Sequence, residues 1–184
     1  MARTIHVSAL ALAAALVLLL AGCNGDTGTE NGTTDPDTDV DETDDPLTEG
    51  LQAHVEERYD DAVAAYEQVL EEDPENHLAL YNLGLVEQTQ GNTADAEDYY
   101  RQALEIEPEY VPALFNLAIL RTAEGDHDEA VQLYTQIVAI DPEHAGAHLN
   151  LGFAYLAQDN PEAAEEAFNR AVELNPEFQD RLPE

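Results

Sequence analysis

The sequence predicts an all-α solenoid built from about four helix-turn-helix repeats of 34 residues. An acidic or amide residue followed by proline recurs every 34 residues, at Asp73-Pro74, Glu107-Pro108, Asp141-Pro142 and Asn175-Pro176. Alignment on these prolines superimposes an alanine column (Ala62, Ala96, Ala130, Ala164) and an aromatic column (Tyr66, Tyr100, Tyr134, Phe168). Each unit also holds two apolar stretches at helical spacing, separated by a turn. Because no unit can bury its apolar face alone, we expect the units to stack into one right-handed superhelix.

Further columns shared by the three later units resemble the tetratricopeptide repeat. That family combines a large residue, Leu-Gly, then Ala, an aromatic residue and Pro at fixed offsets. The shared columns are Ala79/Ala113/Ala147, Asn82/Asn116/Asn150, Leu83/Leu117/Leu151 and Gly84/Ala118/Gly152. The resemblance covers 43–178 and implies repeats at about 43–76, 77–110, 111–144 and 145–178. The folded array is expected over 47–178, with a short tail at 179–184.

The two ends of the array are expected to differ from its middle. The first helix, about Pro46 to Glu57, contains Gly50 and few large apolar residues, so the first unit is interpreted as degenerate there. We expect it to act as an N-terminal cap with a polar outer face. At the other end, Phe178 and Leu182 are available to cover part of the last hairpin. Incomplete cover there would favour an end-to-end homodimer.

The first 22 residues are typical of an export signal. Arg3 precedes an apolar run from Ala9 to Ala21, which is too short to cross a bilayer but suits a secretory signal. The run ends in Leu19-Leu20-Ala21-Gly22-Cys23, which resembles the lipobox of prokaryotic lipoproteins. The resemblance implies cleavage before Cys23 and lipidation of its thiol. The alternative is a plain signal peptide that happens to be followed by cysteine.

An acidic tether is expected between the anchor and the repeats, over 23–46. From Asn24 to Pro46 the chain has nine acidic residues, no basic residue and Val40 as its only aliphatic residue. Such a segment cannot bury enough apolar surface to fold, so we expect it to stay extended. Asp35 to Val40 superficially resembles a calcium loop, but Val40 stands where glycine is needed and Pro46 where a bidentate Glu is needed.

The family resemblance also implies a concave groove lined by the first helix of each unit. A candidate polar column is Asn82, Asn116 and Asn150. The candidate apolar and aromatic lining is Leu85, Ile119, Phe153, Tyr81 and Phe115, with Gln88, Thr122, Leu149 and Leu156 at the other groove offsets. Since an Asn amide both donates and accepts, the Asn column could pair with the backbone of an extended peptide. The alternative is that these Asn residues are incidental to function.

Charge and composition exclude several classes of function. The chain has 40 Asp and Glu against 6 Lys and Arg, a formal charge of -34, and contains no lysine at all. It therefore lacks the basic surface that nucleic acids need. No catalytic constellation, cofactor motif or metal site is apparent. His144 and His148 are spaced i,i+4, but His148 takes an offset filled by leucine in earlier units, so we expect a core histidine. The acidic excess also suggests a halophilic source.

These observations predict a lipid-anchored, extracytoplasmic protein whose repeats bind a protein or peptide partner in the concave groove. The alternative is a structural lipoprotein that self-associates without a groove ligand. A glycan-binding or enzyme-accessory role is less favoured, because Tyr81 is the only tyrosine expected in the groove. No enzymatic activity is predicted.

Overall fold

The structure, a computed structural model, describes residues 45–183. The predicted signal peptide, Cys23 and nearly all of the predicted tether lie outside these residues. The described chain forms eight α-helices and a terminal 3-10 helix, and it contains no strand. The α-helices are α1 (Pro46–Val55), α2 (Tyr59–Glu72), α3 (His77–Gln90), α4 (Thr93–Ile106), α5 (Val111–Glu124), α6 (His127–Ile140), α7 (Ala145–Ala157) and α8 (Pro161–Leu174). The 3-10 helix spans Pro176–Arg181.

The helices pair as four successive hairpins, which confirms the predicted solenoid. α1 packs on α2, α3 on α4, α5 on α6 and α7 on α8, and the second helix of each hairpin also packs on the first helix of the next. The three later hairpins begin at His77, Val111 and Ala145, at the spacing of the sequence repeat. In the three later hairpins the first helix is buried over more of its circumference than the second. In α4, for example, the buried residues are Ala96, Tyr100 and Ala103.

In three of the four hairpins a glycine faces an aromatic ring of the paired helix, so that the two helices lie close together; the third hairpin has Ala118 at this offset. A Cβ added at Gly84 would lie 2.5 Å from the ring of Tyr100, so only glycine fits at this separation. Gly152 faces Phe168 in the same way. Gly50 faces Tyr66 and is itself buried. The first hairpin therefore keeps the family's glycine–aromatic contact, and the expectation that its first helix is degenerate is wrong in this respect.

The turns between paired helices use one left-handed residue at the same offset of every unit. Gly91 and Gly125 end α3 and α5 with φ of 85° and 84°. At Gly91 the chain closes with an Asn92 N–H donated to the Glu87 carbonyl at 2.9 Å, which is typical of a Schellman end. The first and last hairpins place Glu57 and Asp159 there, with φ of 59° and 55°. These two turns therefore carry a strain that the two central turns avoid.

The ends of the array close in the way that the sequence predicts. On α1, Glu49 and Gln52 are exposed at the offsets where α3 buries Leu83 and Val86, as expected of a polar N-terminal cap. Beyond α8, Phe178 and Leu182 are half-buried against the cluster formed by Leu149, Ala164, Phe168 and Ala171. This packing covers the end on which the self-association alternative depends.

An ion-pair network joins the second and third hairpins. Glu97 on α4 pairs with Arg121 on α5 and with Arg101 on its own helix. Arg101 in turn reaches Glu129 on α6 at 2.7 Å, and Arg121 reaches Glu124 at 2.8 Å. The Arg121 side chain is only 11% exposed, so its charge is held mainly by these carboxylates. The network has no recognisable pattern in the sequence, because its members lie on three different helices.

Candidate peptide-binding groove

The first helices of the four hairpins place one apolar side chain each in a single column. The column consists of Leu51, Leu85, Ile119 and Phe153, which are spaced 34 residues apart. Leu51 and Phe153, at its ends, are 44% and 36% exposed, and the two central members are half-buried. Leu51 was not among the predicted groove residues, although the 34-residue spacing alone would have found it. The resemblance to the tetratricopeptide repeat implies that the first helices line the concave surface, so we expect the column to run along the groove.

The predicted aromatic lining is held in place by neighbouring rings. Tyr81 is 8% exposed and packs edge-on against Tyr110, with ring centroids 5.2 Å apart. Phe115 is half-buried and lies 5.0 Å from the His144 ring and 5.9 Å from the Tyr134 ring. Burial raises the pKa of Tyr81 to about 12, with a smaller contribution from Tyr110. Both rings are therefore held in place by their neighbours, and little of Tyr81 is left open to a ligand.

The three asparagines occupy equivalent offsets but make different contacts. Asn82 is buried, and its Nδ2 donates to the Leu78 carbonyl one turn earlier at 2.7 Å. Asn116 is half-buried and donates from Nδ2 to the Tyr81 hydroxyl at 3.2 Å. Asn150 is half-buried beside the hydroxyl of Tyr134, whose pKa is raised by burial and lowered in smaller part by this contact. The Asn82 amide nitrogen is thus already engaged within its helix, whereas the other two lie nearer the surface.

Gln88 and Thr122, also placed in the groove by the family offsets, serve the buried tyrosine column. The Tyr100 hydroxyl donates to Oε1 of Gln88 at 2.6 Å. The Tyr134 hydroxyl lies beside Thr122, while burial raises its pKa. In the fourth unit Phe168 replaces the tyrosine, and Leu156 replaces the Gln or Thr that contacts its hydroxyl. Neither side chain therefore has a polar group that needs a partner. Leu149, which was also expected at a groove offset, is instead buried in the core cluster at the end of the array.

Acidic residues are sparse on the first helices and abundant on the second helices. Helices α1, α3 and α5 carry Glu49, Glu87 and Glu124, and α7 carries no acidic residue. The second helices carry the following: Asp60, Asp61, Glu67, Glu71, Glu72, Asp95, Glu97, Asp98, Glu105, Asp128, Glu129, Glu162, Glu165, Glu166 and Glu173. The apolar column is therefore an uncharged strip on a strongly acidic body.

The two spaced histidines do not form a metal site in the part of the chain that the structure describes. His144 caps α7, where its Nδ1 accepts a hydrogen bond from the Ala147 N–H at 3.0 Å. His148 is half-buried, and its Nε2 donates to the Pro142 carbonyl at 3.1 Å. The expectation of a core histidine is therefore only partly met. Over residues 45–183 no cluster of three or more His, Cys, Asp or Glu side chains is arranged to hold a metal ion.

The described helices are also unsuited to crossing a bilayer. None of them combines the length and the apolar character that a membrane span needs. The predicted lipidation residue, Cys23, lies outside the described residues.

Solved structures with a similar fold include proteins named MamA. The structure described as "MamA 41-end from Desulfovibrio magneticus RS-1" is 22% identical, with a TM-score of 0.62, over 72% of this chain and 74% of that one. The "MamA RS-1 ArsTM double mutant" is 21% identical, with a TM-score of 0.65, over 70% and 72%. These likenesses show the fold alone.

A further similar structure carries the repeat in its own description. It is a tetratricopeptide repeat protein from Parabacteroides merdae ATCC 43184, which is 25% identical with a TM-score of 0.66 over 71% of this chain. This chain covers 52% of that protein, or about half its length. A search of curated protein sequences finds no match.

Family models provide the decisive comparison. Models of the tetratricopeptide repeat match residues 48–111, 86–145 and 121–182, which together span all four hairpins. Repeats of this family typically form non-enzymatic scaffolds for protein–protein interaction, in agreement with the predicted scaffold. With the glycine–aromatic contacts, the 34-residue register and these matches in agreement, the chain belongs to the tetratricopeptide repeat family.

Proposed function

We propose that this protein is a lipid-anchored, extracytoplasmic scaffold that binds an extended peptide segment of a partner protein in its concave groove. Cys23 carries the lipid, the acidic segment to Asp45 acts as a tether, and the four hairpins present the binding surface. The proposal for the anchor is supported by the lipobox-like residues before Cys23. The proposal for the groove is supported by the arrangement of the first helices.

The single observation that carries the groove proposal is the uncharged apolar column in an otherwise acidic molecule. Exposed apolar side chains are costly in water, and here they recur once per unit at the same offset, from Leu51 to Phe153. A segment with apolar side chains at a matching spacing would bury the column. Basic residues on either side would be attracted by the surrounding carboxylates. Such a contact is expected to give roughly micromolar affinity after association costs.

The asparagines supply a second, weaker contribution to the proposed binding. Asn116 and Asn150 are half-buried along the same face, and Asn116 uses its Nδ2 internally rather than its Oδ1. An amide oxygen there can accept an N–H from an extended peptide whatever its sequence. Asn82 is less suited to this role, because it is only 8% exposed. We therefore expect the asparagine contribution to come mainly from the third and fourth units.

Affinity capture from solubilised membranes at high salt would test the groove. The full chain would be compared with Phe153→Ser and with the double variant Asn116→Ala/Asn150→Ala. Ile140→Ser is a matched control, since Ile140 and Phe153 are both 36% exposed but Ile140 lies at the end of a second helix. The proposal predicts a partner that is retained by the control, lost by Phe153→Ser and weakened by the double variant. Loss of the partner with Ile140→Ser alone would place binding elsewhere.

The lipid anchor is tested in a separate experiment, so that a negative result for lipidation does not affect the test of peptide binding. Replacement Cys23→Ser is expected to remove lipid labelling and to release the protein from the membrane fraction. Unchanged membrane association without lipid on the chain would contradict a Cys23 anchor, while leaving peptide binding intact.

A further inference from the structure

A second concavity lies away from the apolar column, between α6 and α8. Its volume is about 760 Å³. Its floor is apolar, formed by Val138 of α6, Leu151 and Tyr155 of α7, and Ala167 of α8. Leu151 and Ala167 are each only 6% exposed, so the floor is part of the core cluster that joins the third and fourth hairpins. The size lies within the range of ligand-binding clefts in proteins.

Comparison with the earlier hairpins explains why the space is open here. The offset of Ala167 is occupied by Tyr99 in the second unit and by Leu133 in the third. Tyr99 and Leu70 pack against the core cluster between the first and second hairpins and against the cluster between the second and third. Leu133 and Leu104 pack against the latter cluster. Between the third and fourth hairpins the corresponding pair is Val138 and Ala167, so alanine replaces the large side chain of Tyr99 or Leu133. The last pair of hairpins therefore has a smaller side chain at this offset, on the floor of the open groove.

His148 also departs from the repeat pattern at this groove. Its offset is filled by Leu80 and Leu114 in the preceding units, which are 5% and 2% exposed. His148 instead lines the open groove and is half-buried. The fourth unit thus departs from the repeat pattern at two offsets that meet at one place.

The rim of this groove is strongly acidic. Glu162, Glu165, Glu166 and Glu173 line it along α8, and all four are exposed. The only cation among the lining residues, Arg170, is bonded to Glu173 at 3.1 Å. An apolar floor within a carboxylate rim is complementary to a large apolar side chain flanked by positive charge.

We propose that the groove between α6 and α8 is a second docking site, which accepts a basic segment of a partner protein. The segment inserts a tyrosine or leucine side chain over Ala167, in the place that Tyr99 and Leu133 fill in the earlier joints. Its Lys or Arg residues contact Glu162 and Glu166 at the rim. This site is distinct from the concave groove, so the scaffold holds two segments at separate surfaces.

Selection from a display library of short random peptides, on the full chain, tests the proposal directly. Enriched peptides are expected to combine Tyr or Leu with Lys or Arg. Filling the groove by Ala167→Leu, which copies Leu133, should weaken their binding about tenfold or more, because the buried side chain loses its place. Ala64→Leu adds the same side chain at an exposed position of α2 and should change nothing.

A second variant keeps the test independent of packing in the core. The double replacement Glu162→Gln/Glu166→Gln alters exposed residues only and is expected to weaken the same peptides several-fold and to reduce their salt dependence. Phe153→Ser in the concave groove should leave them bound. The proposal would be overturned if no enriched peptide lost binding with Ala167→Leu, or if every peptide that did so also lost binding with Phe153→Ser or carried no basic residue.

Discussion

The first and second helices of each hairpin use their side chains in opposite ways. α3, α5 and α7 are buried over much of their circumference and carry little charge, whereas the second helices bury one narrow face and carry most of the carboxylates. The large excess of acidic residues is thus tolerated because it lies on the outer layer, where salt can screen it. The inner layer is left free to present the apolar column.

Disruption of the contact between the two layers should have the largest effect on stability. Tyr100 is fully buried on α4, faces Gly84 on α3 and donates to Gln88. Replacement Tyr100→Ala is expected to cost about 3–5 kcal/mol of unfolding free energy, since it opens a cavity and removes a hydrogen bond.

Phe153→Ala is the comparison variant, since its ring is exposed on the groove side. It should cost about 1 kcal/mol. Denaturant unfolding of both variants measures the difference. Equal losses of unfolding free energy would show that the buried contact of Tyr100 contributes no more to stability than the exposed ring of Phe153.

Alkaline pH should weaken the packing between helices at the buried tyrosines. Burial raises the pKa of both Tyr66 and Tyr81 to about 12. A phenol whose pKa is higher in the folded state contributes stability that is complete below about pH 10 and is lost as the pH rises through about 12. The loss is on the order of 2–3 kcal/mol for each tyrosine.

The chain suits this measurement because it contains no lysine that would titrate over the same range. Thermal melts and tyrosinate absorbance, followed together from about pH 9 to 12, would show the effect. Tyr66→Phe is the matched variant, because the Tyr66 hydroxyl is buried without a partner among the described residues. It should be slightly more stable than wild type at neutral pH and lose less at high pH. A stability that is flat over this range would contradict the assignment.

Removal of one carboxylate from the ion-pair network tests how much these charge pairs stabilise the contact between the two layers. Glu97→Gln removes the carboxylate shared by Arg101 and Arg121. Because the Arg121 side chain is largely buried, we expect a loss of about 1–3 kcal/mol in unfolding free energy, reduced at high salt.

The control for this replacement is the neighbouring carboxylate on the same helix. Asp98 lies next to Glu97 on α4, and its side chain is exposed. Asp98→Asn should therefore change the unfolding free energy by less than about 0.5 kcal/mol in the same denaturant measurement. Equal effects of the two replacements would indicate that only net charge matters.

The smallest predicted effect concerns the turns that join the two layers. Asp159 adopts φ of 55°, at the offset where Gly91 and Gly125 are found. Asp159→Gly is expected to raise the unfolding free energy by about 0.5–1 kcal/mol, because glycine adopts this conformation without strain. Gly125→Asp should lower it by a similar amount. If both changes act in the same direction, the turn conformation is not the cause.

The fold could be predicted because its determinants recur at a fixed spacing. Prolines, glycines and aromatic residues mark the joints and turns, and the helices recur at the same spacing. The first hairpin was underestimated because Gly50 stands beside Glu49 and Thr48, where later units have apolar or amide residues. Those substitutions belong to the polar cap and do not alter the glycine–aromatic contact.

The site was less predictable, because a column shows which residues share an offset but not what each one contacts. Asn82, Asn116 and Asn150 are equivalent in the alignment, yet one bonds its own helix and another bonds Tyr81. His148 was expected in the core, but it is half-buried and lines the groove between α6 and α8. Peptide binding, lipidation at Cys23 and a halophilic source stay predictions.

The proposed function requires that a partner bind along the apolar column of the first helices. The most direct test places a photo-crosslinking amino acid at Ile119 or, as a control, at Ile140, and irradiates intact membranes at high salt. A crosslink to a second protein is expected from Ile119, and none from Ile140. Crosslinking from Ile140 alone would show that the partner lies on the outer layer, and would contradict the proposed groove.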